Sequence, residues 1–133
     1  MYDWEAVIDG TLRSDLEYVP LLHSNQQWCT EGWEQNVANA RAKYNVQNIL
    51  SFNEPDQVGG GGSGMPVDQA IAAHKKFIDQ PLRGKGLKIG SPSVTNADEP
   101  NTGHQLPQAI YGRLQRLPDR LRRRPLLCLG QGR

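Results

Sequence analysis

The run Asn48-Ile49-Leu50-Ser51-Phe52 ends abruptly in Asn53-Glu54-Pro55-Asp56, and that ending restricts the fold more than any other stretch. Proline has no N–H to give to a sheet ladder, so an interior strand must stop before Pro55. The pattern recurs on both sides. Glu17-Tyr18-Val19-Pro20-Leu21-Leu22 reads as a short strand followed by His23-Ser24-Asn25, and Leu87-Lys88-Ile89-Gly90-Ser91 as another, closed by Pro92. Within the former, Pro20 is expected at a bulge or a sheet edge. Tyr2-Asp3-Trp4 has the character of the last residues of one more strand.

Helical patterns fill the gaps. Apolar residues at Trp33, Val37, Ala40 and Tyr44 fall on one helical face, with Thr30 or Gly32 as the start. Pro66 suits a first helical turn. Val67, Ala70, Ile71, His74, Phe77 and Ile78 then share a face to about residue 79, where Pro81 is expected to end the helix. The glycine run 59–62 reads as a flexible loop. It lacks the Gly-Lys-Ser/Thr that a phosphate loop requires. Strand, helix, strand, helix, strand is the grammar of an α/β fold with a parallel sheet.

Composition sharpens this reading at one place. The net charge of +1 conceals a split, with 13 acids and 8 bases in residues 1–105 but 7 arginines and one acid, Asp119, in residues 106–133. That tail has no lysine, 7 leucines, and prolines at 107, 118 and 125. The fold is therefore expected to occupy 1–105, with no complete helix beyond Gly103. The Arg/Leu/Pro-rich 106–133 reads as sequence that does not continue it, as an out-of-frame or misspliced end would give. A basic tail for an acidic partner and an amphipathic helix are the alternatives. Nothing resembles a secretory leader or a membrane span. Cys29 and Cys128 form no CxxC pair, which argues against structural zinc and leaves a disulfide open.

Glu54 is the candidate catalytic residue. In α/β folds the carboxyl ends of strands collect reactive groups, because the scaffold below is rigid and the loops above are free to vary. Strand-end carboxylates, working in pairs, are the usual machinery of glycoside hydrolysis. Trp4 and His23, each at the end of another expected strand, are candidate pocket residues. Trp28 offers a second aromatic face, whereas Trp33 lies on the helical stripe and belongs to the core. Asp56 is expected to cap the turn that follows it.

Three segments in order, Tyr18-Val19-Pro20-Leu21-Leu22, Leu50-Ser51-Phe52-Asn53-Glu54-Pro55-Asp56 and Leu87-Lys88-Ile89-Gly90-Ser91-Pro92-Ser93-Val94-Thr95, resemble the N-terminal half of the alkali-sensitive-linkage type glycosyl hydrolase catalytic domain, glycoside hydrolase family 128. The resemblance runs from about residue 2 to about residue 105. It implies a partial (β/α)8 TIM-barrel, about half of the eight-fold structure, and retaining action on β-1,3-glucan as polysaccharide substrate or ligand. It makes Glu54 the acid/base and Asn53 a sugar-contacting neighbour, with no cofactor, metal, nucleic acid or membrane involved. An extracellular or cell-wall location goes with such relatives.

The chain also departs from the family pattern. The family's nucleophile, a Glu near a Thr-Glu-Phe type motif, has no counterpart here, and neither has its His-Trp-Tyr type strand. Leu21 and His23 stand where Met and Trp are usual. Three readings follow: a glycosyl hydrolase-like fragment with half a catalytic pair, a non-catalytic glucan-binding or cell-wall-associated protein, and a truncated or frameshifted product without sugar function.

Overall fold

The structure, a computed structural model, describes residues 1–100, 102–103 and 105–114. In chain order its elements are α1 (Gln27–Thr30), α2 (Trp33–Lys43), β1 (Asn48–Ile49), β2 (Val58–Gly59), β3 (Gly62–Ser63), α3 (Val67–Ala73), a π-helical turn (His74–Asp79), α4 (Gln80–Leu82), β4 (Lys88–Ile89) and α5 (Gln105–Leu114).

Regular strands are short, but the ladder extends beyond them. β1 pairs in parallel with β4, and isolated parallel bridges join Tyr2 to Val19, Glu17 to Asn45, Leu21 to Leu50 and Asn53 to Ser93. Four extended segments thus lie side by side, all parallel, in the order of the sequence. A parallel neighbour requires a crossover, and α2 and the α3–α4 stretch provide the second and third of these. Tyr18, Leu22, Ile49 and Phe52 from the segments pack with Trp33 and Val37 of α2 in one buried cluster, which Ile78, Leu82, Leu106 and Ile110 complete.

Pro20 lies neither at an edge nor at a bulge, contrary to the expectation. Its segment has neighbours on both sides, with Val19 N donating to Met1 O at 2.8 Å and Leu22 N to Leu50 O at 3.3 Å. In a parallel strand each residue directs its N–H and C=O to the same side. Pro20 therefore forgoes one bond to the β1 segment while its carbonyl still accepts from Leu50 N at 2.9 Å. The bulge falls in the first segment instead. The two residues from Val19 to Leu21 bond to Met1 O and Glu5 O, four residues apart, so the first segment bends at Asp3 and Trp4. Extra residues of this kind re-aim a side chain, and here it is Trp4 that turns outward.

At the opposite end of the sheet, Glu17 Oε1 accepts from the N–H groups of Gln47 and Asn48 and from Asn48 Nδ2, at 2.8–2.9 Å. Burial works against ionising Glu17, but these three donors outweigh it and hold the carboxyl below its usual range.

The helix at 67 does not stop before Pro81. It continues as the π-helical turn and then as α4, with Pro81 inside. Pro81 has no N–H for the carbonyl of Phe77, four residues earlier. The indole Nε1 of Trp33, on α2, donates to that carbonyl at 2.9 Å and replaces the missing partner. At the start of the π turn, His74 is buried and its Nδ1 lies 3.0 Å from Ser51 Oγ. Burial, opposed by the Asp79 charge and assisted by that of Arg83, pushes the His74 pKa down to about 4.

The boundary expected at residue 105 is also corrected. α5 spans it, with Leu106 and Ile110 buried in the common core. It packs on α3, and Arg113 pairs with Asp68 across the contact. Pro107 is harmless because it occupies the first turn, where N–H groups have no intrahelical acceptor. Residues 115–133, the rest of the arginine-rich tail, lie outside the described residues. So does Cys128; Cys29 is a free thiol whose Sγ lies 3.2 Å from Ser24 Oγ.

Candidate active site

The second, third and fourth segments end side by side. Asn53 N donates to His23 O at 3.0 Å, and Glu54 N donates to Ser93 O at 3.0 Å. His23, Asn53, Glu54 and Ser93 therefore form a continuous rim. Trp4 joins it through ring contact, its centroid 5.6 Å from that of His23, and the Trp28 ring lies 5.8 Å from the same imidazole. Trp4 is 52% exposed and Trp28 64%. Together with Leu21 and Cys29 the three rings line an open cleft of about 80 Å³.

The glycine run is an ordered part of this rim rather than a flexible loop. β2 and β3 pair as a hairpin with Val58 opposite Ser63 and Gly59 opposite Gly62, which leaves Gly60 and Gly61 as the turn. Both have positive φ, +60° and +93°, the backbone that a two-residue hairpin turn of the primed type demands. The turn is pinned at its tip. Gly61 O accepts from Asn53 Nδ2 at 2.9 Å and from His23 Nε2 at 3.0 Å. A Cβ at Gly61 would stand 3.0 Å from Trp4 Cη2, so the absent side chain makes room for the indole.

That node defines what His23 and Asn53 do. Donation from Nε2 leaves His23 Nδ1 as an acceptor, buried and without a hydrogen-bond partner among the described residues. Asn53 carries the turn with its amide nitrogen and accepts from Ser93 Oγ at 3.2 Å with its oxygen. Both residues therefore act first as supports of the rim.

Glu54 has φ +39°, the only non-glycine residue with positive φ among those described. Backbone of this kind in a non-glycine residue concentrates at functional sites, where surrounding contacts impose it. Here the contacts are explicit. The amide is held by Ser93 O, and the carbonyl accepts from Gln57 N and Ser63 N at 3.0 and 3.2 Å. No described residue hydrogen-bonds the Glu54 carboxylate.

Asp56 behaves differently from its neighbour. It does not cap its own turn as expected but reaches across to the chain beyond β4. Its Oδ2 accepts from Thr95 Oγ1 at 2.6 Å and from Gly103 N at 2.7 Å, and Thr95 N lies 3.2 Å away. Burial disfavours the charge, yet the Thr95 hydroxyl and the amides of Gly103, Thr95 and Asp56 itself outweigh it and hold the carboxyl below the usual range. Sequence spacing contains nothing that pairs Asp56 with residues 39 and 47 positions later.

Among the described residues no group of three His, Cys, Asp or Glu could hold a metal ion, and no helix is long and apolar enough to cross a membrane.

The sequence profile of the glycosyl hydrolase catalytic core family matches residues 1–109. The chain belongs to that family. Solved structures similar to this glycosyl hydrolase core are family 128 proteins. One is an oligosaccharide-binding protein of subgroup VII from Cryptococcus neoformans, with 26% identity, TM-score 0.52, and coverage of 71% of this chain and 36% of that one. Another is a mutant of a subgroup I endo-β-1,3-glucanase from Amycolatopsis mediterranei in complex with laminarihexaose. It shares 26% identity at TM-score 0.58, covering 86% of this chain and 42% of its own. This glycosyl hydrolase core thus spans about two fifths of the length of those structures. No curated protein sequence matches it.

Proposed function

We propose that this chain carries the acid/base half of a retaining β-1,3-glucan hydrolase site, built on four parallel segments of a (β/α)8-type barrel. The observation that carries the reading is Glu54, a carboxylate with no hydrogen-bond partner among the described residues, on backbone of φ +39° and next in sequence to Asn53 of the Asn53–His23–Gly61 node. A glucan chain would lie along Trp4 and Trp28, whose exposed ring faces suit the apolar faces of pyranose rings. Glu54 would protonate the glycosidic oxygen as the bond breaks, then accept a proton from the water that releases the sugar. Retention needs a second carboxyl group at about 5–5.5 Å. Asp56 does not serve, since its oxygens are committed to Thr95 and Gly103.

A second reading, glucan binding without turnover, is favoured by that same commitment of Asp56 and by the oligosaccharide-binding relative. One experiment separates them. The protein is titrated with laminarihexaose and the mixture is assayed for shortened oligosaccharides. Hydrolysis that disappears in Glu54→Gln supports the enzyme. Binding without products in either form supports the binder. Absence of binding overturns both, and salt-sensitive capture of polyanions by residues 106–133 would then define a protein without sugar function.

A further inference from the structure

The left-handed backbone of Glu54 is unfavourable for a residue with a Cβ and persists only if its surroundings impose it. Two chain stretches do so. The hairpin holds its carbonyl, and the fourth segment holds its amide through Ser93 O. The fourth segment is in turn fixed to the Glu54 turn at every second residue. Ser93 bridges Asn53, and Thr95 donates its hydroxyl to Asp56. Asp56 also holds Gly103 beside Thr95 by accepting from Gly103 N. The loop is closed tightly at that point, where a Cβ on Gly103 would stand 1.9 Å from Ala97 O. Ala97 N also donates to Thr95 Oγ1 at 3.3 Å, so the Thr95 hydroxyl is both donor to Asp56 and acceptor from the loop.

From this geometry we infer that Asp56 is a positioning residue for Glu54: its carboxylate clamps Thr95 and Gly103, and with Thr95 the fourth segment, against the turn that carries the acid/base. The inference rests on the role of Glu54 proposed above, but the clamp itself is testable without any sugar.

The test uses the whole chain and two readouts. The first is hydrogen exchange of the peptides covering 53–57 and 93–103. The second is the ¹³C resonance of the Glu54 carboxyl, assigned by its loss in Glu54→Gln. In Asp56→Asn the clamp loses its charge, and in Thr95→Val it loses only the hydroxyl, with the side-chain shape kept. Both variants are expected to speed exchange in the two peptides about tenfold or more and to move the Glu54 resonance. Thr95→Ser, which restores the hydroxyl, is expected to restore both. Unchanged exchange and an unmoved Glu54 resonance in both weakened variants overturn the inference. So does faster exchange with an unmoved resonance, which would make the clamp a feature of the loop alone. If the variants behave as expected but laminarihexaose binds neither wild type nor variants, the clamp stands and the glucan reading falls.

Discussion

The indole N–H of Trp33 donates to the backbone carbonyl of Phe77, 44 residues away, at 2.9 Å. That carbonyl lies four residues before Pro81, which has no N–H to offer it. A side chain on α2 thus completes the hydrogen bonding of a helix it only packs against, and ties the two crossover helices together. Trp33→Phe keeps an aromatic ring in the core but removes the donor and some volume. It is expected to lower stability by about 2–3 kcal/mol, the combined effect of an unpartnered carbonyl and a small void. Urea denaturation followed by circular dichroism measures it. If Trp33→Phe is within about 0.5 kcal/mol of wild type, the indole bond is dispensable.

Stability should fall in acid through His74 first. Its folded pKa is about 4 against an ordinary value of 6.5. Between these values the unfolded chain binds a proton that the folded chain refuses. The penalty is absent above pH 6.5, grows as pH drops, and is complete near pH 4, where it reaches roughly 3 kcal/mol. Asp56 and Glu17 act lower on the scale. Their folded carboxyls lie below the ordinary 3.8 and 4.5, so the stability they contribute is present above those values and lost as pH falls through the folded ones. Denaturation midpoints from pH 7.5 to 4 give the slope, and His74→Gln should remove most of it. An unaltered slope in that variant would assign the acid sensitivity elsewhere.

Gly103 and Gly84 make a controlled pair. Both have positive φ, but a Cβ on Gly84 meets nothing within 4 Å while one on Gly103 meets Ala97 O at 1.9 Å. Gly84→Ala is expected to cost about 1–2 kcal/mol, the backbone penalty alone. Gly103→Ala should cost more, and should open the 95–103 loop to limited proteolysis before the rest of the protein unfolds. Equal losses in the two variants would mean that the loop relaxes without resistance.

Gly61→Ala separates site from scaffold. The added methyl would stand 3.0 Å from the Trp4 ring, on a turn whose φ is +93°. Laminarihexaose affinity is expected to fall about tenfold, as it should in Trp4→Ala, since loss of one stacked ring is worth roughly 1–1.5 kcal/mol. Titration calorimetry on both variants, beside wild type, decides the matter. Full affinity in Trp4→Ala would remove Trp4 from the ligand's path.

How much of this was legible in the residues differs from element to element. The α2 stripe at Trp33, Val37 and Ala40 and the strand ending at Glu54 follow from periodicity and from one proline, both local properties. The helix through Pro81 does not, because its missing donor is supplied from α2. α5 was obscured by Pro107 and by the arginines that follow it, although a proline in a first turn removes no bond. Trp28 was recognisable as an aromatic candidate, but its partnership with His23 depends on how the second segment is placed. The bend that turns Trp4 outward appears only when the bonds from Val19 and Leu21 are traced to Met1 and Glu5. The Asp56 clamp joins residues 39 and 47 positions apart and leaves no periodic trace.

The side-by-side order of the four segments has a consequence for how the protein comes into being. Each segment pairs with the one made just before it: Val19 with Tyr2, Asn45 with Glu17, Lys88 with Asn48. In each of these pairs the later segment therefore meets, as the chain leaves the ribosome, a partner already delivered. Chains emerge at about 5–20 residues per second, slowly enough for one crossover to settle before the next begins. Among these rim contacts the Asp56 clamp closes last, when Gly103 emerges and gives Asp56 its final donor.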